Sequence, residues 1–331
     1  MDIVRIDKRL SQTMQPKPCV ATIGFFDGVH KGHAFLVGNV VATARQMRLA
    51  STVITFDRHP RQVLNADFQP AMLNTLKEKM SLIARTGVDR CAVVHFSDVA
   101  METAYEFMRD ILRSQLNVRV LIIGYDNRFG HNRKEDFNDY VGYGRQLGIE
   151  VRHAAPYELN GIKVSSSVVR SFLGEGEVAL ARQCLGYPYT LIGKVAEGKH
   201  IGTNIGFPTA NLEVEDTQKI VPAGGVYAVG MFVADRAEES YADVREGATM
   251  GAMMNIGTRP TFGGKDRTLE IHVFHFHGDL YGRRIGVAFI SRLRAERKFR
   301  SAAELAAQLR RDAVVAQEVI GAPTIKDDII D

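Results

Sequence analysis

Cysteine is scarce in this 331-residue sequence, which contains only Cys19, Cys91 and Cys184. The three are scattered and form no CxxC pair, which argues against a disulfide framework and against a structural zinc site. The sequence also lacks an apolar run long enough to cross a membrane, and its first residues lack the pattern of a signal peptide. We therefore expect a cytoplasmic protein that has no membrane partner.

Long runs of lysine or arginine are absent as well, and the net charge is a mild +4. The sequence therefore gives no indication of a nucleic-acid partner, and the charge suits small anionic substrates. Apolar residues make up 45% of the chain and charged residues 24%, which is ordinary for a soluble globular protein. A chain of this length is expected to form two domains.

Predicted strands and helices alternate through the first half of the chain. The strands are predicted at residues 19–23, 51–56, 91–96, 118–123 and 150–154, and the helices at residues 35–48, 76–85, 100–115 and 134–147. This alternation predicts a doubly wound parallel sheet. Ligands of such sheets bind beyond the carboxyl ends of the strands, so the residues that follow each strand are candidate site residues.

The segment after the first predicted strand, residues 24–33, reads Gly-Phe-Phe-Asp-Gly-Val-His-Lys-Gly-His. Its glycines allow close backbone approach, and the helix that follows offers free amides to a phosphate. His30 and His33 are three residues apart and would share one helix face. Two histidines alone leave a zinc site short of ligands. Ordinary surface or turn histidines are the alternative interpretation.

Three later segments are also polar where a strand ends or a helix begins. Residues 57–61 and 124–133 mix acids, histidines and arginines, although loops are often polar in any case. Residues 164–172 contain three serines followed by Arg170. Serine hydroxyls, helix amides and a guanidinium could together bind a polyphosphate, whereas a plain serine cap would explain only one of the serines.

The second half changes to glycine-punctuated strands, predicted at residues 190–195, 225–233, 248–254, 269–276 and 284–289. They predict a small antiparallel barrel, followed by a helix at residues 301–319. A short helix at residues 177–185 ends at Gly186, and Pro188 prevents its continuation. The predicted domains are therefore residues 1–186 and 187–331.

Two segments of the second half could carry chemistry. Thr209 and Asn211, at the end of a glycine-rich loop, are two residues apart and could together bind Mg²⁺ and phosphate oxygens; an ordinary glycine loop is the alternative. Alternation along residues 269–276 places Glu270, His272 and Phe276 on one face. Glu270 could act as a general base toward a sugar-type hydroxyl, or could be an exposed strand glutamate.

These segments together resemble the motifs of bacterial bifunctional riboflavin kinase/FAD synthetases. Residues 24–33, 55–60 and 165–170 are similar to the nucleotidylyltransferase motifs of that family, and residues 206–211, 225–228, 255–262, 270–272 and 279–282 are similar to riboflavin kinase signatures. The resemblance covers nearly the whole chain. It implies a Rossmann-like nucleotidylyltransferase domain followed by a riboflavin kinase β-barrel with a C-terminal helix.

The resemblance also implies an activity in two steps. ATP would phosphorylate riboflavin to FMN, and a second ATP would adenylylate FMN to FAD with release of pyrophosphate. The implied partners are ATP with Mg²⁺, riboflavin, FMN and FAD, and we expect a monomer or a weak homo-oligomer. A chain with only one of the two activities, and a non-catalytic flavin or nucleotide sensor, are the alternatives.

Site residues follow from the matched motifs. The residues implied to bind and position ATP for adenylyl transfer are Gly24, Phe25, Asp27, His30, His33, Ser165, Ser166, Ser167 and Arg170. Those implied on the flavin side are His59, Pro60, Asp126, Arg128 and Phe129. The kinase motifs imply ATP binding by Gly198, Gly202, Gly206, Phe207, Pro208, Thr209 and Asn211, a metal at Thr209 and Asn211, and Glu270 as the catalytic base.

Three positions depart from the usual family motifs. Ser167 replaces threonine and keeps the hydroxyl. Asn127 stands where many relatives have phenylalanine, and Thr203 lies where relatives often have arginine. The last two could alter contacts to the flavin or to a nucleotide.

Overall fold

The computed structural model describes residues 1–7, 16–64, 67, 71–131, 134–196, 206–234, 249–261 and 264–321. The chain forms two compact units, one of Met1–Pro70 with Lys79–Val164 and one of Ala71–Glu78 with Ser165–Asp331. Residues 165–186 thus pack with the second unit, and the domain boundary between residues 186 and 187 stays a prediction. No helix in the described ranges is long and apolar enough to span a membrane.

Six strands form the sheet of the first unit. They are β1 (Asp2–Ile6), β2 (Cys19–Ile23), β3 (Ala50–Phe56), β4 (Arg90–Val94), β5 (Val118–Ile123) and β6 (Glu150–His153). Their order across the sheet is β1-β4-β3-β2-β5-β6, and every pair is parallel. The predicted doubly wound sheet is therefore confirmed, and its strand order reverses beside β2.

Helices connect these strands. They are α1 (Lys31–Met47), α2 (Pro60–Leu64), α3 (Leu76–Ala84), α4 (Phe96–Val99), α5 (Ala104–Phe107) with a π-helical continuation (Met108–Gln115), and α6 (Phe137–Leu147). A two-stranded hairpin, β7 (Glu158–Leu159) and β8 (Ile162–Lys163), follows β6. All five residues of β2 are buried, as the continuous apolar run of a central parallel strand requires.

Three departures from the predicted elements of this unit concern β1, β4 and α5. β1 was not predicted; it forms an edge of the sheet, and three of its five residues are exposed. The strand predicted at residues 91–96 ends at Val94, and α4 begins at Phe96, whose amide donates to Asp57 Oδ1 at 2.9 Å. The helix predicted at residues 100–115 begins only after Thr103, which caps α5.

The second unit contains a closed barrel of six antiparallel strands. They are β9 (Thr190–Ala196), β10 (Ala210–Val214), β11 (Gly225–Val233), β12 (Met250–Thr261), β13 (Gly264–Val273) and β14 (Arg284–Arg294), in the order β10-β13-β12-β11-β14-β9. The strand predicted to run to residue 276 ends at Val273, because His275 adopts left-handed backbone with φ 54°. Phe276 therefore does not continue the face of Glu270.

Three helices accompany the barrel: α7 (Ser166–Glu175), α8 (Val178–Leu185) and α9 (Ala302–Gly321). On the outside of the barrel, Ala316 of α9 packs against Ala228 and Met253. This arrangement confirms the predicted barrel with a C-terminal helix. Gly286 is required at its place in β14, since a Cβ there would lie 2.0 Å from the Phe232 ring.

A buried ion pair lies within the second unit. Lys219 Nζ donates to both carboxylate oxygens of Glu78, at 2.7 and 2.8 Å, and to the Thr190 carbonyl at 2.7 Å. Both side chains are more than nine-tenths buried. Burial removes each charged group from water, so each is stabilised mainly by the other.

Replacement of Lys219 by methionine should leave the Glu78 carboxylate buried without its cation. We expect a loss of about 3–5 kcal/mol in the free energy of unfolding, measured from the urea midpoint of the second unit. The exposed pair of Arg152 and Glu150 in the first unit provides the control: Arg152→Met should cost less than about 1 kcal/mol, measured from the urea midpoint of the first unit. Equal effects of the two substitutions would contradict a structural role of the buried pair.

Candidate active sites

The amino end of α1 in the first unit brings His30 and His33 together. The two rings stack at a centroid distance of 3.6 Å. His30 caps the helix, and its Nδ1 accepts the His33 amide at 3.2 Å. Because Nδ1 acts as an acceptor, neutral His30 carries its proton on Nε2. The two rings are therefore adjacent in the structure, and their shared role in ATP binding stays a prediction.

His33 is held neutral by its surroundings. Burial, followed by the neighbouring His30 and Lys79, holds the pKa of His33 well below its usual range. Its Nδ1 atom is buried and has no hydrogen-bond partner among the described residues. Placing an anion beside this ring would favour uptake of a proton.

The turn between β2 and α1 has an unusual backbone. Phe26 and Val29 adopt left-handed φ values of 54° and 34°, and Gly28 has φ 82°. Asp27 and the Phe26 side chain are buried within the turn. Gly24 leaves room for the Phe26 ring, since a Cβ there would lie 3.1 Å from it. A non-glycine residue in this conformation costs free energy and requires surroundings that fix it.

The carbonyl of Phe25 is one of the groups that fix the turn. It accepts from Thr55 Oγ1 at 3.1 Å and from Lys79 Nζ at 3.0 Å. Lys79 is buried, and we did not predict it as a site residue, because its helix carries no motif. Phe25 also packs its ring against His59 in an edge-to-face contact at 4.9 Å.

A cavity of about 300 Å³ opens beside this turn within the first unit. Its walls are mostly apolar with a few polar groups, and include Phe25, Pro60, Arg61, Arg128, Phe129 and His131. It lies beside β2, where the strand order of the sheet reverses. This is the place at which open α/β sheets bind ligands.

The loop after β5 contributes to the cavity in a way that its sequence did not reveal. Asn127 is one of the positions that depart from the family motif. Its side-chain amide donates a hydrogen bond to the carbonyl of Ile23 at the end of β2. Phe129 is mostly core: its ring stacks on Tyr140 at 4.4 Å, and its backbone bonds with the Tyr140 hydroxyl in both directions. Asp126 is exposed and lines a different cavity of about 400 Å³.

His95 is a second residue that sequence reasoning missed. It follows β4, and its Nδ1 lies 2.6 Å from Asp57 Oδ2. Asp57 therefore accepts bonds from both His95 and the Phe96 amide, which ties the end of β3 to the end of β4. The strand predicted at residues 91–96 included His95, so His95 could not be identified as a strand-end residue until β4 was seen to end at Val94.

The serine-rich segment at residues 165–170 belongs to the second unit. Ser165 caps α7, and its hydroxyl accepts the Val168 amide at 3.3 Å. Arg170 donates from Nε to the Ala71 carbonyl at 2.7 Å. Ser166 and Ser167 occupy the first turn of α7. A common ATP site for these residues and His30 stays a prediction.

Glu270 lies at the centre of a row of polar residues on the barrel. Strand register places it directly opposite Asn211 of β10 and opposite Asn255 of β12. Opposed residues of antiparallel strands share a face, so the three side chains are on the same side of the sheet. The neighbours of Glu270 in sequence, Leu269 and Ile271, are buried, which confirms the alternation predicted there.

The segment before β10 is held against this row by His272. The Nδ1 atom of His272 lies 2.8 Å from the Pro208 carbonyl, and the Phe207 ring contacts His272 edge to face at 5.1 Å. Gly206 has a left-handed φ of 82°. Thr209 and Asn211 follow directly on this fixed segment. Gly198, Gly202 and Thr203 lie outside the described residues.

A further carboxylate lies near the row. A Cβ at Gly257 would lie 3.1 Å from Glu296 Oε1, 3.2 Å from Thr268 Oγ1 and 3.4 Å from Asn255 Nδ2. Asn255 and Glu296 were not among the predicted site residues. The register of β12 against β13 was the missing information for Asn255. Glu296 lies on neither strand and follows β14.

Comparison with known proteins places both halves in described families. Residues 12–168 match the family model of FAD synthetase, and residues 185–320 match the family model of riboflavin kinase. A crystal structure described as a macrolide-efflux protein from Streptococcus pneumoniae is similar over 96% of this chain and 99% of its own, with a TM-score of 0.83 and 30% identity. The same fold therefore extends over nearly the entire chain.

Several curated relatives share one name. The bifunctional riboflavin kinase/FMN adenylyltransferase of Escherichia coli (strain K12) is 37% identical over 322 residues, covering 97% of this chain and 98% of that protein. The protein of the same name from Pseudomonas fluorescens is 34% identical over 308 residues, covering 92% and 94%. The chain belongs to the family of bifunctional riboflavin kinase/FMN adenylyltransferases.

Proposed function

We propose that this chain converts riboflavin to FMN with one ATP, and FMN to FAD with a second. The observation that carries the proposal is the row of Asn211, Glu270 and Asn255, which the barrel register places side by side. Two family models in this order along one chain support both activities.

In the kinase step, Glu270 would act as the general base. The terminal ribityl oxygen of riboflavin bonds to the γ-phosphorus of ATP while the bond to the bridging oxygen of ADP breaks. The hydroxyl proton passes to the Glu270 carboxylate. Glu270 is only partly buried, so a hydroxyl can reach it.

Thr209 and Asn211 would bind the magnesium that accompanies ATP. Their hydroxyl and amide oxygens suit a hard cation that keeps several other oxygen ligands. When bound, magnesium offsets the charge of the transferred phosphate.

In the adenylyl transfer, the first unit would hold FMN and ATP in line. An FMN phosphate oxygen bonds to the α-phosphorus of ATP, and the bond to pyrophosphate breaks. The phosphate is already ionised, so the family implies no side-chain base. His30 can donate from Nε2, and His33 would gain a proton as the polyphosphate approaches. Gly24, Phe25 and Asp27 shape the turn beneath them.

The remaining site residues have roles by the same proposal. The cavity lined by Phe25, Pro60, Arg128 and Phe129 would hold the flavin ring, since apolar walls with a few polar groups suit such a ligand. His59, which packs against the Phe25 ring, would also lie on the flavin side. Asp126 would lie on the flavin side as well. Ser165, Ser166, Ser167 and Arg170 would bind ATP phosphates, and Gly206, Phe207 and Pro208 would hold the kinase ATP. The cytoplasmic location and the monomer or weak homo-oligomer stay predictions.

The bifunctional proposal is tested by incubating the protein with riboflavin and Mg·ATP and resolving the products by chromatography. FMN should form first and FAD afterwards. FMN without FAD would restrict the chain to the kinase activity. Binding of flavin without turnover of either riboflavin or supplied FMN would indicate a sensor.

Substitutions in the two sites should separate the activities. Glu270→Ala removes the proposed base and should lower the rate of FMN formation by about 10²–10⁴-fold. Adenylylation of supplied FMN should stay unchanged. His33→Ala should lower FAD formation from FMN by about 10²-fold without affecting riboflavin phosphorylation.

The exposed Glu318 of α9 supplies the matched control for the base. Glu318→Ala should retain both rates. If Glu270→Ala still phosphorylated riboflavin at the normal rate, the base assignment would be wrong.

His272 should influence the kinase reaction through the Pro208 carbonyl. His272→Leu removes the donor and should lower kcat/KM for ATP by about three- to tenfold, the worth of one hydrogen bond. His272→Asn can present an amide hydrogen near the Nδ1 position and should recover most of the loss. Steady-state kinetics of riboflavin phosphorylation measure both, and equal losses in the two variants would show that packing matters more than the bond.

A further inference from the structure

Lys79 is a buried cation at the site of the first unit, and the proposed reaction gives it no role. It lies on α3 and is 4% exposed. Its Nζ donates to the Phe25 carbonyl and to the Phe56 carbonyl, each at 3.0 Å. Nζ also lies 4.1 Å from the centre of the Phe25 ring. One ammonium group thus joins the turn after β2 to the last residue of β3.

The turn that Lys79 holds is a strained one. The Phe25 carbonyl belongs to the peptide that leads into Phe26, whose φ is 54°. Such a conformation persists only where neighbouring groups fix it. Thr55 donates to the same carbonyl at 3.1 Å, so side chains from β3 and α3 converge on this single oxygen. The His30 and His33 rings follow within eight residues of it.

A contribution to the stability of the fold does not by itself explain a buried lysine at position 79. Removal of an ammonium from water costs several kcal/mol, and an apolar side chain of similar volume is often as stable or more stable. The charge therefore points to a role beside the turn, where the polyphosphate is proposed to bind.

We propose that Lys79 is a positioning residue for adenylyl transfer, which fixes the turn at residues 24–29 and places a positive charge beneath it. The inference rests on the proposed function of the first unit. A polyphosphate on this turn would be attracted by the ammonium, and the His30 and His33 rings would depend on the backbone that it holds.

The charge of Lys79 should depend on pH. Burial lowers the pKa of Lys79 to about 8, although Asp27, Cys91 and Asp57 oppose the shift. Lys79 in turn lowers the pKa of His33 on α1, which burial already holds well below its usual range. Burial raises the pKa of Cys91 to about 12. The ammonium is therefore lost as the pH rises through about 8, and adenylyl transfer should slow over the same range.

The test compares Lys79→Met with the wild-type chain. FAD formation from supplied FMN and Mg·ATP is measured between pH 6.5 and pH 9.5, a range of about 1.5 units on either side of the pKa of about 8. We expect kcat/KM at neutral pH to fall by about 10- to 100-fold in the variant, and the alkaline decline of the wild-type rate to disappear. Riboflavin phosphorylation by the same sample should be unchanged.

Two further variants keep the result decisive. Lys77→Met makes the same change at an exposed position of α3 and should behave like the wild type. Lys79→Arg keeps its charge at high pH and should move the alkaline decline upward, a result that a purely structural lysine would not give. Adenylyl transfer by Lys79→Met within twofold of the wild type, or the same alkaline decline in Lys79→Arg, overturns the inference. A wild-type chain that makes no FAD would instead overturn the proposed function.

Discussion

Hydrogen-bonded pairing between neighbouring strands decides which side chains can meet in each compact unit. In the first unit, β2 pairs in parallel with β3 on one side and with β5 on the other. The segments after these strands must therefore leave the sheet at the same edge. In the second unit, antiparallel pairing sets Glu270 against Asn211 and Asn255. The backbone register therefore determines which residues lie together in each candidate site, and their side chains determine the chemistry.

Much of this arrangement could be predicted from short stretches of sequence. The apolar run of β2, the glycines that follow it and the alternation around Glu270 are local patterns, because each depends on residues close together in the chain. The parallel sheet and the barrel followed from the succession of such patterns. β1 escaped prediction because an edge strand with exposed residues carries no clear apolar alternation.

Contacts between distant residues could not be predicted in this way. Lys79 is separated from Phe25 by 54 positions, and its helix shows no motif. Asn127 looked like a departure from a family motif, yet it donates to the Ile23 carbonyl, 104 positions away. Phe129 was predicted on the flavin side, and the structure shows most of its surface packed on core residues. Only the fold brings each of these partners together.

The edges of the two sheets differ in their exposure to other chains. The barrel closes on itself, so its paired strands present no open edge in the described part of the chain. The parallel sheet ends at β1 and β6. Both edge strands carry charged residues, which are Asp2 and Arg5 on β1 and Glu150 and Arg152 on β6. Charges at an edge oppose the addition of a foreign strand, so the sheet beside the cavity is protected from aggregation by residues that have no part in either proposed site.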